Sequence, residues 1–178
     1  MQSVHKTRRG GQGGFSILEM MFATLILLVG LVAVAQLVPA SILLNNRNRT
    51  DTSSLVFAQR ELDQMLVQSI NVPFFTDYEN NLVYLGNPAQ PNQVVGAPVV
   101  TLGNLALIDF TASPVSNYSF TYQDPNDPGG TQYDVRWAVI TSVNNSGAIT
   151  SKRIILGVRQ QGGNGYYQPV TLDTMTER

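Results

Sequence analysis

The residues able to do chemistry in this chain are few, and their types exclude most familiar catalytic sites. The 178 residues include no cysteine and a single histidine, His5. The chain therefore lacks the residues needed for thiolate catalysis, for disulfide bonds, for zinc sites built from Cys and His, and for a Ser–His–Asp triad in its body. Only serine–lysine and paired-carboxylate mechanisms stay open as hydrolytic alternatives. We expect a protein that is not an enzyme and that uses no cofactor.

Charged residues are scarce as well, and their balance argues against a nucleic-acid partner. They make up 13% of the chain, against roughly 25% in an ordinary soluble domain. The formal net charge is −1, so the chain lacks the basic footprint of a nucleic-acid-binding domain.

One acidic residue, Glu19, occupies an unusual place. It lies inside an apolar run from Phe15 to Leu44, and no Asp, Glu, Lys or Arg follows it from Met20 to Asn46. A carboxylate at the centre of a membrane-inserted helix costs about 2.5–3.5 kcal/mol on translocon scales. If it meets a cation of a neighbouring chain, that carboxylate becomes a docking point that sets the register of assembly. The alternative is that Glu19 lies near the membrane interface and reaches water without a partner.

A second acidic feature is the stretch 124–130, which reads DPNDPGG and contains Asp124 and Asp127. Carboxylate and carbonyl oxygens so close together could hold Ca²⁺. However, Asp-Pro and Pro-Gly-Gly are ordinary turn residues. We favour a surface turn with no metal and keep a calcium loop as the alternative.

The element that must position Glu19 is the apolar run itself. About 20 helical residues cross the roughly 30 Å hydrocarbon layer, so the run is long enough to span a membrane. The preceding residues, Met1 to Gly14, contain Lys6, Arg8 and Arg9 and no acid. By the positive-inside rule the N-terminus stays cytoplasmic, and the chain beyond the apolar run is exported.

An ordinary secretory signal is one explanation of this N-terminus. It would take Met1–Gly14 as the basic region, Phe15–Val32 as the apolar region and an A-x-A site ending at Ala35, and the mature chain would begin at Gln36. The product would be a secreted or membrane-anchored β-rich binding module. The carboxylate of Glu19 inside the apolar region, and the length of that region, argue against this alternative.

The stretch Gly13-Gly14-Phe15-Ser16-Ile17-Leu18-Glu19-Met20 supports a different explanation. It resembles the class III leader of type IV pilins and pseudopilins, in which a short basic leader ends in Gly and the fifth mature residue is Glu. The resemblance covers about 55 residues, includes LVFAQRELDQM at 55–65, and is closest to minor pilins and minor pseudopilins. It implies that a prepilin peptidase cleaves between Gly14 and Phe15 and N-methylates Phe15. It also implies that Glu19 meets the N-terminal amine of an adjacent subunit during fibre growth.

The resemblance also implies partners and a location. The partners are other pilin or pseudopilin subunits, the prepilin peptidase, the inner-membrane assembly platform and, before assembly, membrane lipid. The protein would cross the inner membrane once and then enter an extracytoplasmic filament, which is a type IV pilus or the pseudopilus of type II secretion. Within the family, minor pilins are implicated in priming, tip complexes, adhesion or DNA uptake, and the sequence does not choose among these roles.

The pattern after the apolar run predicts an α+β fold. Pro39 removes one helical hydrogen bond, and poor helix formers follow it, so we expect a kink at Pro39 or a melted stretch near 39–54. An apolar stripe at helical spacing then runs from Leu55 to Ile70. We expect a cleaved leader at 1–14, a transmembrane and polymerisation helix at 15–44, an amphipathic continuation at 45–72 and an exported β-rich head at 73–178.

Period-2 alternation in the last third of the chain predicts antiparallel strands. Residues 117–123 form one predicted strand, and residues 133–143 and 149–160 form a β-hairpin across the turn Asn144-Asn145-Ser146-Gly147. One or two further strands are expected between Val94 and Phe110. The basic residues of the hairpin are expected on a solvated strand face, and these are Arg136, Lys152, Arg153 and Arg159.

Overall fold

The structure is a computed structural model that describes residues 14–124, 130–162 and 169–177, apart from the side chains of Asn46, Arg47 and Thr50. The predicted leader, with Lys6, Arg8 and Arg9, lies outside the described residues except for Gly14. The chain divides into two compact units, with the boundary between Asn45 and Asn46. The second unit is called the head below.

A single α-helix, α1, runs from Ile17 to Val67. Pro39 lies inside it, and the helix is continuous through residues 39–54, so the expected melted stretch is absent. Within this stretch the hydroxyl of Thr52 donates to the carbonyl of Asn48 at 2.8 Å, one helical turn earlier. A kink at Pro39 stays a prediction.

The rest of the described head is built from antiparallel strands, and the predicted α+β class is confirmed. The strands are β1 (Phe74–Thr76), β2 (Leu82–Tyr84), β3 (Val94–Gly96), β4 (Val99–Leu102), β5 (Leu105–Ile108), β6 (Ser119–Gln123), β7 (Gln132–Val143), β8 (Ile149–Gln161) and β9 (Val170–Glu177).

The central sheet has the order β3-β7-β8-β9, and β6 also pairs with β7. The predicted hairpin is confirmed as β7–β8, in which Val135 lies opposite Val158 and Trp137 opposite Leu156. At its turn the Oδ1 of Asn144 accepts hydrogen bonds from the backbone N–H groups of Ser146 and Ala148. The other strands form two small hairpins, β1–β2 and β4–β5.

One face of the sheet packs against the last part of α1. The helix contributes Phe57, Ala58 and Met65 to a core that also contains Trp137 and Leu156, both with 0% exposure. The ring of Phe57 lies 4.2 Å from that of Tyr122, centroid to centroid. This aromatic core orients the helix on the sheet because the rings bury large apolar areas with tilted packing.

The other face of the sheet is also covered, which corrects the expectation of a solvated basic face. Ile108 and Phe110, at and just after the end of β5, pack with Ala138 and Ile155 on this face in a second core. Arg136 lies there with 5% exposure, because it pairs with Asp134 and donates to the carbonyl of Ala112 at 2.6 Å.

Lys152 is buried on the helix-facing side of β8. It has 3% exposure and donates to the carbonyl of Val72 at 2.7 Å. Of the four basic residues of the hairpin, Arg136 and Lys152 are therefore buried, while Arg153 and Arg159 keep 42% and 31% of their side-chain surface exposed.

Candidate functional site

The start of α1 brings together the residues of the predicted processing and assembly site. Gly14, Phe15 and Ser16 precede the helix, which begins at Ile17 and not at Phe15 as predicted. Ser16 is the capping residue, because its Oγ accepts a hydrogen bond of 3.1 Å from the backbone N–H of Glu19. The helix therefore begins two residues after the predicted cleavage point.

Glu19 is the third residue of the helix, and its side chain is exposed. A Ser cap followed three residues later by Glu is the capping-box pattern, and an acid in the first turn also favours the positive end of the helix dipole. This local role was missed at the sequence level, although the signal S-x-x-E at 16–19 was present. Glu19 thus has a helix-capping position in addition to its predicted role in assembly.

The surface around Glu19 is apolar and uncovered. Every large apolar side chain from Phe15 to Leu44 keeps between 51% and 84% of its surface exposed. The segment Ile17–Asn45 spans 29 residues with a mean hydropathy of 2.6, which makes it long and apolar enough to cross a membrane. The hydroxyl of Thr24 donates back to the carbonyls of Met20 and Met21, so it does not need water.

The peptide bond between Gly14 and Phe15 lies in an open environment. A Cβ added at Gly14 would meet no atom within 4 Å, and the side chain of Phe15 is 84% exposed. Nothing in the described chain shields this bond, and a side chain at position 14 would not disturb the helix.

The predicted surface turn at 124–130, with calcium binding as its alternative, is only partly described. Asp124 lies in the described residues, where its N–H donates to the carbonyl of Thr131 at 3.3 Å, whereas Asp127 lies outside them. No group of three His, Cys, Asp or Glu side chains that could hold a metal occurs among residues 14–124, 130–162 and 169–177.

Glu61 and Lys152 are buried titratable groups in the head whose burial was not predicted. Glu61 has 1% exposure and lies on the buried side of α1. The buried residues of this side are Ser54, Phe57, Ala58, Glu61 and Met65. The buried stripe is therefore rotated around the helix relative to the predicted one. Burial raises the pKa of Glu61 to about 7 and lowers the pKa of Lys152 to about 8. The apolar periodicity of the sequence does not predict burial of either residue, because each is charged and lies next to another charged residue, Arg60 for Glu61 and Arg153 for Lys152.

Comparison with known proteins adds no family to this geometry. No protein-family model, curated protein or solved structure matches the chain. The site is therefore described by its geometry alone. Its features are an open Gly14–Phe15 bond, a capped helix start and the carboxylate of Glu19 within an exposed apolar surface.

Proposed function

We propose that this protein is a prepilin-like structural subunit, a minor pilin or pseudopilin. In this proposal it inserts in the inner membrane with its N-terminus in the cytoplasm and is cleaved between Gly14 and Phe15. The new N-terminus of Phe15 is methylated, and helix α1 assembles into a type IV pilus or a type II secretion pseudopilus. The role requires no catalysis by the mature chain.

The observation that carries the proposal is the position of Glu19. Its carboxylate lies in the first turn of a helix whose apolar surface is uncovered over 29 residues. Cleavage after Gly14 creates an amine at Phe15 on each subunit, close in sequence to this carboxylate. Pairing Glu19 with the amine of an adjacent subunit would offset the cost of a carboxylate in hydrocarbon, and packing of neighbouring helices would cover the apolar surface.

The secretory alternative accounts less well for the same surface. Cleavage after Ala35 would cut within α1 and leave Gln36–Val67 as the helix of the product. Leu37, Val38 and Leu43 would then stay on a soluble protein with 65%, 59% and 61% of their surface exposed. An apolar patch of this kind calls for a membrane or a partner.

The cleavage step is tested by intact mass and N-terminal sequencing after expression with and without a prepilin peptidase. The expected product begins with N-methylated Phe15, and it forms only when the peptidase is present. A chain that begins at Gln36 would support the secretory alternative and refute the proposal.

Variants at two neighbouring glycines sharpen this test. Gly14→Val is expected to leave the precursor uncut, whereas Gly13→Ala is expected to be processed. Because a Cβ at Gly14 meets nothing within 4 Å, a loss of cleavage would report recognition by the peptidase and not a disturbed helix.

The assembly step is tested by separating the charge of Glu19 from its capping position. Glu19→Gln removes the charge but keeps a side chain that suits a capping box. We expect Glu19→Gln to be processed but poorly incorporated into filaments. Ser16→Ala, which loses the cap at a cost of about 1 kcal/mol but keeps the charge, should still be incorporated. Wild-type incorporation of Glu19→Gln would refute the role of the charge.

A further inference from the structure

The turn between β1 and β2, residues 77–81, is held against α1 by a small set of polar contacts. Arg60 forms an ion pair with Glu79. The backbone N–H of Tyr78 donates to Oε1 of Gln64 at 3.1 Å, and Nε2 of Gln64 donates in turn to Oε1 of Glu61 at 3.0 Å. The turn is therefore connected to Glu61 through Gln64. We call residues 77–81 the tip.

The base of the same hairpin is attached to the sheet by different contacts. Val83 is fully buried in the core, and the indole N–H of Trp137 donates to the carbonyl of Tyr84 at 2.9 Å. Lys152 holds the carbonyl of Val72, just before β1. The contacts that fix the base of the hairpin are therefore separate from those that hold its tip.

A cleft separates the hairpin from the end of α1. Its volume is about 370 Å³, and its lining includes Arg60, Gln64, Phe75, Thr76 and Tyr78. The residues that hold the tip therefore also form the wall of an open space, so release of the tip would widen the cleft without breaking a packed core.

Glu61 lies buried next to this attachment, and one of its oxygens has no partner. Its Oε1 accepts a hydrogen bond from Nε2 of Gln64 and one of 3.5 Å from Nη2 of Arg60. The same Nη2 also donates to Glu79. Its Oε2 is buried and has no hydrogen-bond partner in the described structure. A proton on Oε2 would remove the charge from a carboxyl group that neither water nor a full set of donors stabilises.

The charges facing Glu61 are mostly of its own sign. The tip contributes Asp77, which is 5% exposed, and Glu79, while Arg60 is the cation beside them. Asp77 accepts hydrogen bonds from the backbone N–H groups of Glu79 and Asn81, so its carboxylate stabilises the turn internally. From the sheet, the rings of Tyr122 and Tyr133 pack on Phe57, and the guanidinium of Arg60 lies 4.9 Å from the centroid of the Tyr122 ring. Desolvation first, and then the charge of Asp77, raise the pKa of Glu61 to about 7.

We propose that the tip is a pH-operated latch, closed when Glu61 is protonated and released when Glu61 ionises. Ionisation places a third carboxylate beside Asp77 and Glu79 and makes it compete with Glu79 for the one guanidinium of Arg60. Release of the tip lets water reach Glu61 and separates the like charges. This inference does not depend on the proposed role in filaments.

The direction with pH follows from linkage. The closed state binds the Glu61 proton up to about pH 7, whereas an open, solvated carboxyl releases it near its ordinary pKa of 4.5. The opening equilibrium constant should therefore rise about tenfold per pH unit between these values, up to about 300-fold in all.

Hydrogen exchange of the full-length protein in detergent micelles, at pH 5 to 8 and corrected for intrinsic exchange, tests the latch. The amide of Tyr78 is the most direct probe because its acceptor is the side chain of Gln64. We expect the amide of Tyr78 to lose protection as the pH rises while β7 and β8 stay protected. The amides of Glu79, Asn80 and Asn81 have acceptors in Asp77 and should change little, because these bonds lie within the turn. Glu61→Gln should keep the tip closed at every pH, and Asp63→Asn, at an exposed position two residues further on, should behave like the wild type.

Several results would overturn the latch. These are pH-independent protection of the Tyr78 amide in the wild type, loss of protection in β7 and β8 together with that amide, and a retained pH dependence in Glu61→Gln. If Glu61→Gln does not fold, carboxyl NMR of the wild type decides instead. A Glu61 titration near pH 7 that coincides with tip opening supports the proposal, and one near 4.5 refutes it.

Discussion

Replacement of Gly157 by alanine should loosen the layer that covers the second face of the sheet. An added Cβ would lie 2.8 Å from Cβ of Ile108 and 2.9 Å from Cε2 of Phe110, where carbon atoms normally approach to about 3.5–4.0 Å. Ile108 is 3% exposed and so has little room to move. Phe110 lies beneath the guanidinium groups of Arg136 and Arg159, 5.1 and 4.8 Å from its ring centroid.

The expected cost follows from these contacts. Overpacking of this kind costs roughly 1–3 kcal/mol, and the higher strand preference of alanine over glycine returns roughly 0.5–1 kcal/mol. We expect Gly157→Ala to lower the free energy of unfolding by about 1–2 kcal/mol, which corresponds to a fall in Tm of roughly 3–10 °C for a unit of this size.

Thermal unfolding followed by the near-ultraviolet signal of Trp137 measures this effect. Trp137 is the single tryptophan and is fully buried. A double-mutant cycle with Phe110→Leu then tests the cause, because the smaller side chain should remove part of the clash and give a favourable coupling. Gly147→Ala is the control, since its Cβ meets nothing within 4 Å and its cost comes from a φ of +81° alone. Gly157→Ala at wild-type stability, or equal coupling at both glycines, would refute the close approach of β5 to β8.

Three further outcomes are expected. Burial lowers the pKa of Lys152 from 10.5 to about 8, so between these pH values the unfolded state binds one more proton than the folded state. The free energy of unfolding should therefore rise with pH in this range, by up to about 3 kcal/mol. Chemical denaturation of Lys152→Met should lack this rise. Gly86→Ala should destabilise the head by at least about 2 kcal/mol, measured in the same denaturation assay, because its φ is +84° and its Cβ would lie 2.5 Å from a β7 hydroxyl oxygen. Asp173→Asn should change stability by less than about 1 kcal/mol, because its ion pair with Arg153 is partly exposed to solvent. A larger loss would show that this edge pair anchors β9.

The elements predicted best are those whose signal is contained in their own residues. The β7–β8 hairpin combines period-2 apolar residues with a turn-forming sequence at 144–147, and both its paired strands and its turn agree with the structure. The apolar run at 15–44 likewise predicts a long helix by composition alone. The start of that helix at Ile17 was also encoded locally by Ser16 and Glu19, although the pattern went unused.

The elements predicted least well depend on partners distant in sequence. β9 reads VTLDTMTE, too polar to stand out as a strand, and it forms because β8 offers an unpaired edge. The helical stripe was placed on Leu55, which is 37% exposed, because a count of apolar residues cannot anticipate a buried glutamate in the same stripe. β1 and β2 have three residues each, too short to show a period.

The sequence by itself determined the apolar helix and the carboxylate near its start, because both follow from composition and spacing within a few turns of chain. Only the tertiary structure decided that both faces of the sheet are covered and that Arg136, Lys152 and Glu61 are buried. The reason is physical, since a charged side chain is buried only where distant residues supply its partners or exclude its water. For Arg136 the partners are Asp134 and a carbonyl 24 residues away, and for Lys152 the partner is a carbonyl 80 residues away. Long-range packing of this kind leaves no periodic trace in the sequence.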